Sequence, residues 1–102
     1  MATDTMNSAL QRFALFVELE QGRSANTVRA YRKDIEGLLD FARNRGCEQL
    51  GDIGIAELRG WLAAQRAAGL TSTTMARRAT AARMFFAWAA STDVIEIGRA
   101  HV

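Results

Sequence analysis

The chain has 102 residues, 49% of them apolar, with 13 Lys and Arg against 11 Asp and Glu and a formal charge of +2. That length suits one domain with its own core, built without staples. The lone Cys47 excludes an internal disulfide and a Cys/His metal cluster, and apolar runs of a few residues exclude a bilayer span, which needs roughly 20.

Four helical segments follow from apolar periodicity, separated by short glycine-containing turns. The first covers about residues 5–21, where Met6, Ala9, Leu10, Phe13, Phe16 and Val17 share one face. Leu15 and Leu19 lie on a second face, which predicts cover on two sides, and Gly22 stands where a C′ residue ends a helix. The second covers about residues 26–44, with Ser24 as N-cap and Gly46 as terminator. Val28, Tyr31, Ile35, Leu38, Leu39 and Ala42 form its inward stripe. Its outer face is divided by charge: Asn26, Arg29, Arg32 and Lys33 come first, then Glu36 and Asp40. Arg29 and Lys33 repel at i, i+4, an arrangement suited to an anionic partner, although Arg32 and Glu36 can pair along the helix.

The third segment covers about residues 55–68. Ile53 and Leu58 are placed to staple around Gly54 as N-cap, with Glu57 at N3. Ile55, Leu58, Trp61 and Leu62 are expected to face inward, and Gly69 to stop the helix. The fourth covers about residues 72–90, with Leu70 and Met75 stapling around Thr71. Met75, Ala79, Ala82, Phe86 and Ala89 make a narrow inward stripe flanked by Phe85, while Thr73, Thr74, Arg77 and Thr80 face outward. Residues 94–97 are the sole strand candidate, too short and terminal to stand.

Catalysis by this chain is not expected. His101 and Tyr31 are the only residues of their types, and neither has a nucleophile, base and orienter near it in sequence. No catalytic residue, metal ligand or cofactor is assigned. The N-terminus lacks a basic region followed by an apolar stretch, so no signal peptide and a cytoplasmic setting are expected. Twelve of the basic residues are Arg, whose planar fork suits phosphate and guanine. A GC-rich genome accounts for that equally well, so position has to decide. A helix N-terminus bearing hydroxyls, free N–H groups and arginine reads phosphates and base edges, and the fourth helix offers one. Arg78 and Arg83 lie nearer the core edge, where Arg83 is placed to pair with a carboxylate of a neighbouring helix. Thr27 projects inward and caps or packs as readily as it touches phosphate. Trp61 reads as core. Trp88 falls off the inward stripe, as cover for the first helix or as a subunit contact, with packing inside the domain favoured.

Two stretches carry a family resemblance: Arg23-Ser-Ala-Asn-Thr-Val-Arg-Ala-Tyr-Arg-Lys-Asp-Ile35 and Gly69-Leu-Thr-Ser-Thr-Thr-Met-Ala-Arg-Arg-Ala-Thr-Ala-Ala-Arg-Met-Phe-Phe86. Together they resemble the N-terminal core-binding domain of tyrosine recombinases, especially the Xer-type resolvases and related phage integrases, over roughly residues 10–94. The departures are Ala79 and Ala82, where the family usually has Leu. The resemblance implies an all-α fold, an orthogonal four-helix bundle of the SAM-like core-binding type, over residues 1–95. It implies a clamp on double-stranded DNA that lays its second and fourth helices on the major groove and adjacent phosphates. The residues expected to contact DNA are Ser24, Asn26, Thr27, Arg29, Arg32, Lys33, Ser72, Thr73, Thr74, Arg77 and Arg78. Tyr31 matches the motif tyrosine of the second helix and is a core residue, not a nucleophile.

Strand cutting would fall to a C-terminal catalytic domain that this chain does not reach. In the parent protein, that domain and other recombinase protomers would be partners alongside DNA, with no membrane involved. Residues 96–102 fit nothing in the family and read as the translation of a sequencing-library adaptor, a non-native tail. The rival readings are a helix-turn-helix regulator, with the fourth segment as recognition helix, and a helical protein-interaction bundle.

Overall fold

Apolar side chains recurring every third or fourth residue need a shared interior, and four such segments close on one another in the computed structural model, which describes residues 2–92. The helices are α1 (Ala2–Leu19), α2 (Ala25–Asn44), α3 (Ile55–Ala67) and α4 (Ser72–Ser91). One 3₁₀ turn, Leu50–Asp52, interrupts the α2–α3 connection, and there is no strand among the described residues. The strand candidate at 94–97, the adaptor-like stretch at 96–102 and His101 lie outside them.

The helix ends form as their local chemistry dictates. Ser24 Oγ accepts the Thr27 N–H at 3.2 Å, and Thr71 Oγ1 accepts the Thr74 N–H at 3.2 Å. The Gly54 N–H donates to Glu57 Oε1 at 2.8 Å. Gly22, Gly46 and Gly69 take φ of 63°, 96° and 88°, the left-handed region that side chains disfavour and that ends a helix sharply.

α2 and α4 each touch all three other helices and so form the middle of the bundle. Between α1, α2 and α4 lies the main core, with Met6, Phe13, Val17, Ile35, Leu39 and Phe85 almost entirely buried. Phe13 meets Phe85 edge to face at 5.2 Å and Trp88 at 5.7 Å. A smaller cluster of Leu38, Trp61 and Ala82 joins α2, α3 and α4, with Leu58 and Leu62 against it.

Three expectations are corrected. Leu15 and Leu19 are 53% and 73% exposed, so nothing among the described residues covers the second face of α1. Ile55 is 62% exposed, since it lines a groove between α3 and α4 that opens to solvent. The buried stripe of α4 is Ala81, Ala82, Phe85, Trp88 and Ala89, whereas Met75, Ala79 and Phe86 are only half-buried. Alanines lie all around this helix, so its sequence permits several inward faces. The aromatic rings of Phe13 and Phe16 select the face that carries Phe85 and Trp88. Trp88 therefore packs inside the domain.

Candidate nucleic-acid interface

The charge division along α2 survives in three dimensions. Arg29, Arg32 and Lys33 are exposed on its N-terminal half, and among the described residues none of them has an ion-pair partner. The Arg32–Glu36 pair that would have neutralised the patch is not formed. Arg29 Nη2 donates to Asn26 Oδ1, which ties the first turn's amide to the next turn's guanidinium. Thr27 is half-buried, and its hydroxyl accepts from Ser24 Oγ at 3.0 Å. At the start of α4 the same geometry recurs: Thr71 Oγ1 donates to Thr74 Oγ1 at 3.1 Å, with Ser72 and Thr73 exposed.

Arg77 and Arg78 are placed differently from the sequence expectation. Arg77, expected on a free outer face, grips Asp34 of α2 through a two-pronged contact, Nε to Oδ2 at 2.9 Å and Nη2 to Oδ1 at 2.8 Å. Arg78 sets its Nε 3.2 Å from Asp34 Oδ1, and its Nη1 donates to Gln65 Oε1 of α3 at 3.0 Å. Gln65 is itself buried and donates to the Trp61 carbonyl at 3.3 Å. The Asp34 side chain is 1% exposed, against 42% for Arg77 and 30% for Arg78. The hydrogen bond to Asp34 outweighs the opposing effect of burial and holds the Arg77 guanidinium still more firmly protonated than usual.

Asp34 is the functional candidate that periodicity missed. It stands on the inward stripe, three residues after Tyr31 and four before Leu38, where a carboxylate is costly unless paired. That position, read with the adjacent arginines at 77 and 78, was the available signal. The single carboxylate draws the N-terminal halves of α2 and α4 together, and a net positive charge remains at the junction. Arg83 does not reach a carboxylate as expected; its Nη2 donates to Thr80 Oγ1 at 3.3 Å. Tyr31 is buried as the core reading required.

The starts of the two motif-bearing helices thus carry exposed hydroxyl groups, and α2 adds exposed basic ones. Residues 10–93 match the family described as phage integrase, N-terminal SAM-like domain, and the chain belongs to that family. Among its relatives are the tyrosine recombinases XerC of Mycobacterium sp. (strain KMS), 45% identical over 86 residues, and of Mycobacterium tuberculosis (strain ATCC 25177 / H37Ra), 42% identical over 84. Each alignment covers 82% of this chain and 28% of the relative, so the chain spans little more than a quarter of the length of these proteins. No solved structure matches it. No helix among the described residues is long and apolar enough to cross a membrane.

Proposed function

We propose that this chain is the DNA-gripping N-terminal module of a tyrosine-type site-specific recombinase, seated on duplex DNA through the N-terminal halves of α2 and α4. The observation that carries this reading is the un-neutralised cluster of Arg29, Arg32 and Lys33 exposed on the N-terminal half of α2. Phosphates compensate such a cluster, and acidic side chains among the described residues do not.

The two helix starts reinforce it. Each cap hydroxyl satisfies one N–H, that of Thr27 or Thr74. The N–H groups of Ala25, Asn26, Ser72 and Thr73 lie in first turns, where no intrahelical acceptor exists, and aligned peptide dipoles favour an anion there. Ser24, Asn26, Thr27, Ser72, Thr73 and Thr74 are then hydroxyl and amide contacts around phosphate. Arg29, Arg32, Lys33, Arg77 and Arg78 supply the charge. Strand cutting belongs to a catalytic domain of the parent protein, whose other protomers would complete the assembly in the cytoplasm. This domain contributes grip and orientation.

The test is fluorescence anisotropy with a labelled recombination-site duplex over a range of salt concentrations. Affinity should fall with salt by a log–log slope of about 0.9 per phosphate neutralised. Replacing Arg29, Arg32 and Lys33 together by Ala should flatten that slope by roughly one for each phosphate that is no longer neutralised. Unchanged affinity and slope in the triple variant would overturn the assignment.

A further inference from the structure

We propose that Asp34 is a positioning residue of the DNA interface: its buried carboxylate fixes Arg77 and Arg78 so that their remaining N–H groups meet phosphate without further ordering. The proposal rests on the DNA-binding reading above and adds to it a residue that would not itself touch DNA.

Three observations carry it. Among the described residues Asp34 is the only buried charged side chain, and both of its oxygens are engaged by α4. A guanidinium has five N–H groups. Asp34 takes two from Arg77, which leaves three on a side chain that is still 42% exposed. Arg78 is held on two sides, by Asp34 and by the buried Gln65. A buried ion pair is a weak source of stability compared with apolar packing of the same volume, so what this arrangement supplies is geometry. Long side chains lose rotamer freedom when they bind, and here that loss is incurred during folding, before DNA arrives.

The sign of one substitution separates positioning from simple charge. Asp34→Asn removes a negative charge next to a surface meant for phosphate, so electrostatics alone predicts tighter binding. Loss of positioning predicts weaker binding, roughly threefold to tenfold at constant salt, with a salt slope lower by about one. In a background with both Arg77→Ala and Arg78→Ala the same change should cause no further loss of affinity, since both side chains it positions are gone. Equal or tighter binding by a folded Asp34→Asn chain overturns the proposal, as does a loss that persists undiminished in the background lacking both Arg77 and Arg78.

Arg77→Lys serves if Asp34→Asn fails to fold. It keeps the charge and a partner for the carboxylate, but its ammonium is committed to Asp34 and the outward fork is lost. It should bind DNA as weakly as Arg77→Ala, within about twofold; binding like the parent chain overturns the proposal. The triple substitution of Arg29, Arg32 and Lys33 keeps the two readings apart. If it leaves binding intact, the DNA reading falls and the positioning role falls with it. If it weakens binding while Asp34→Asn does not, the positioning role alone falls.

Discussion

Ala79→Leu should stabilise the domain, and the groove between α3 and α4 sets the size of the effect. That groove encloses about 670 Å³ and is lined by Ile53, Leu58, Trp61, Ala79, Ala82 and Phe86, among others. Ala79 and Ala82 present the shortest side chains of its lining on α4, and their size leaves the hollow unfilled. Leu adds three carbons to Ala, at about 0.8 kcal/mol for each one fully buried. Ala79 is half-buried and the groove opens to solvent, so about half of that, roughly 1.2 kcal/mol, is available. Lost rotamer freedom subtracts about 0.5 kcal/mol, and helix propensity changes little between the two residues. The net gain of about 0.7 kcal/mol corresponds to a Tm higher by about 3–5 °C in a domain of this size. Thermal melts followed by far-ultraviolet circular dichroism measure it, with urea midpoints at unchanged m-value as a check. An unaltered or lower Tm refutes the reasoning, because it means that the hollow cannot accept a side chain from α4.

Trp88→Ala tests the face of α4 that packing selected: removing an indole held among Phe13, Phe16 and Phe85 should cost about 3–5 kcal/mol in urea unfolding, and a cost below about 1 kcal/mol would place Trp88 outside the core. Cys47 supplies a pH dependence. Burial, assisted by Glu57 and Asp52 and opposed by Arg45, pushes its thiol above the ordinary range, so the folded chain keeps a proton that the unfolded chain releases. That contribution is complete below about pH 8.5 and declines as pH rises toward the folded value. The fall in urea midpoint between about pH 7 and pH 10 should therefore be smaller in Cys47→Ala than in the parent; an equal fall in both would show that the thiol takes no part.

Much of this fold was legible because its signals are local. Ser24, Thr71 and Gly54 begin helices and Gly22, Gly46 and Gly69 end them for reasons contained within a few residues. The inward stripe of α2 was legible for the same reason: Tyr31, Ile35, Leu38, Leu39 and Ala42 are large enough, and well enough separated from charge, to permit one face only. α4 was not. With alanine on every side its face is decided by what arrives from α1, and periodicity cannot contain that information. The exposure of Leu15 and Leu19 was hidden in the same way, since an apolar pair at i, i+4 shows that a helix has a second apolar face and not whether a neighbour exists to cover it.

The candidate site divides along the same line. Arg29, Arg32 and Lys33 were legible as an outer basic cluster because like charges on one helix face are a local conflict. The roles of Arg77 and Arg78 were not, because their partner lies 43 residues away from Arg77 on another helix. Motif residues therefore fall into two physical groups. Ser24, Thr71 and Asp34 use their acceptors within the domain, on backbone N–H groups and guanidinium groups. Arg29, Arg32 and Lys33 have no such obligation within the domain and keep their charge facing outward. An acidic residue within a motif proposed to bind DNA looks unfavourable when charges are summed along the chain. Buried at the α2–α4 junction and matched by two arginines, it leaves the local charge positive and the arginines fixed. The same carboxylate on the surface would repel phosphates that the neighbouring side chains meet in the proposed DNA complex.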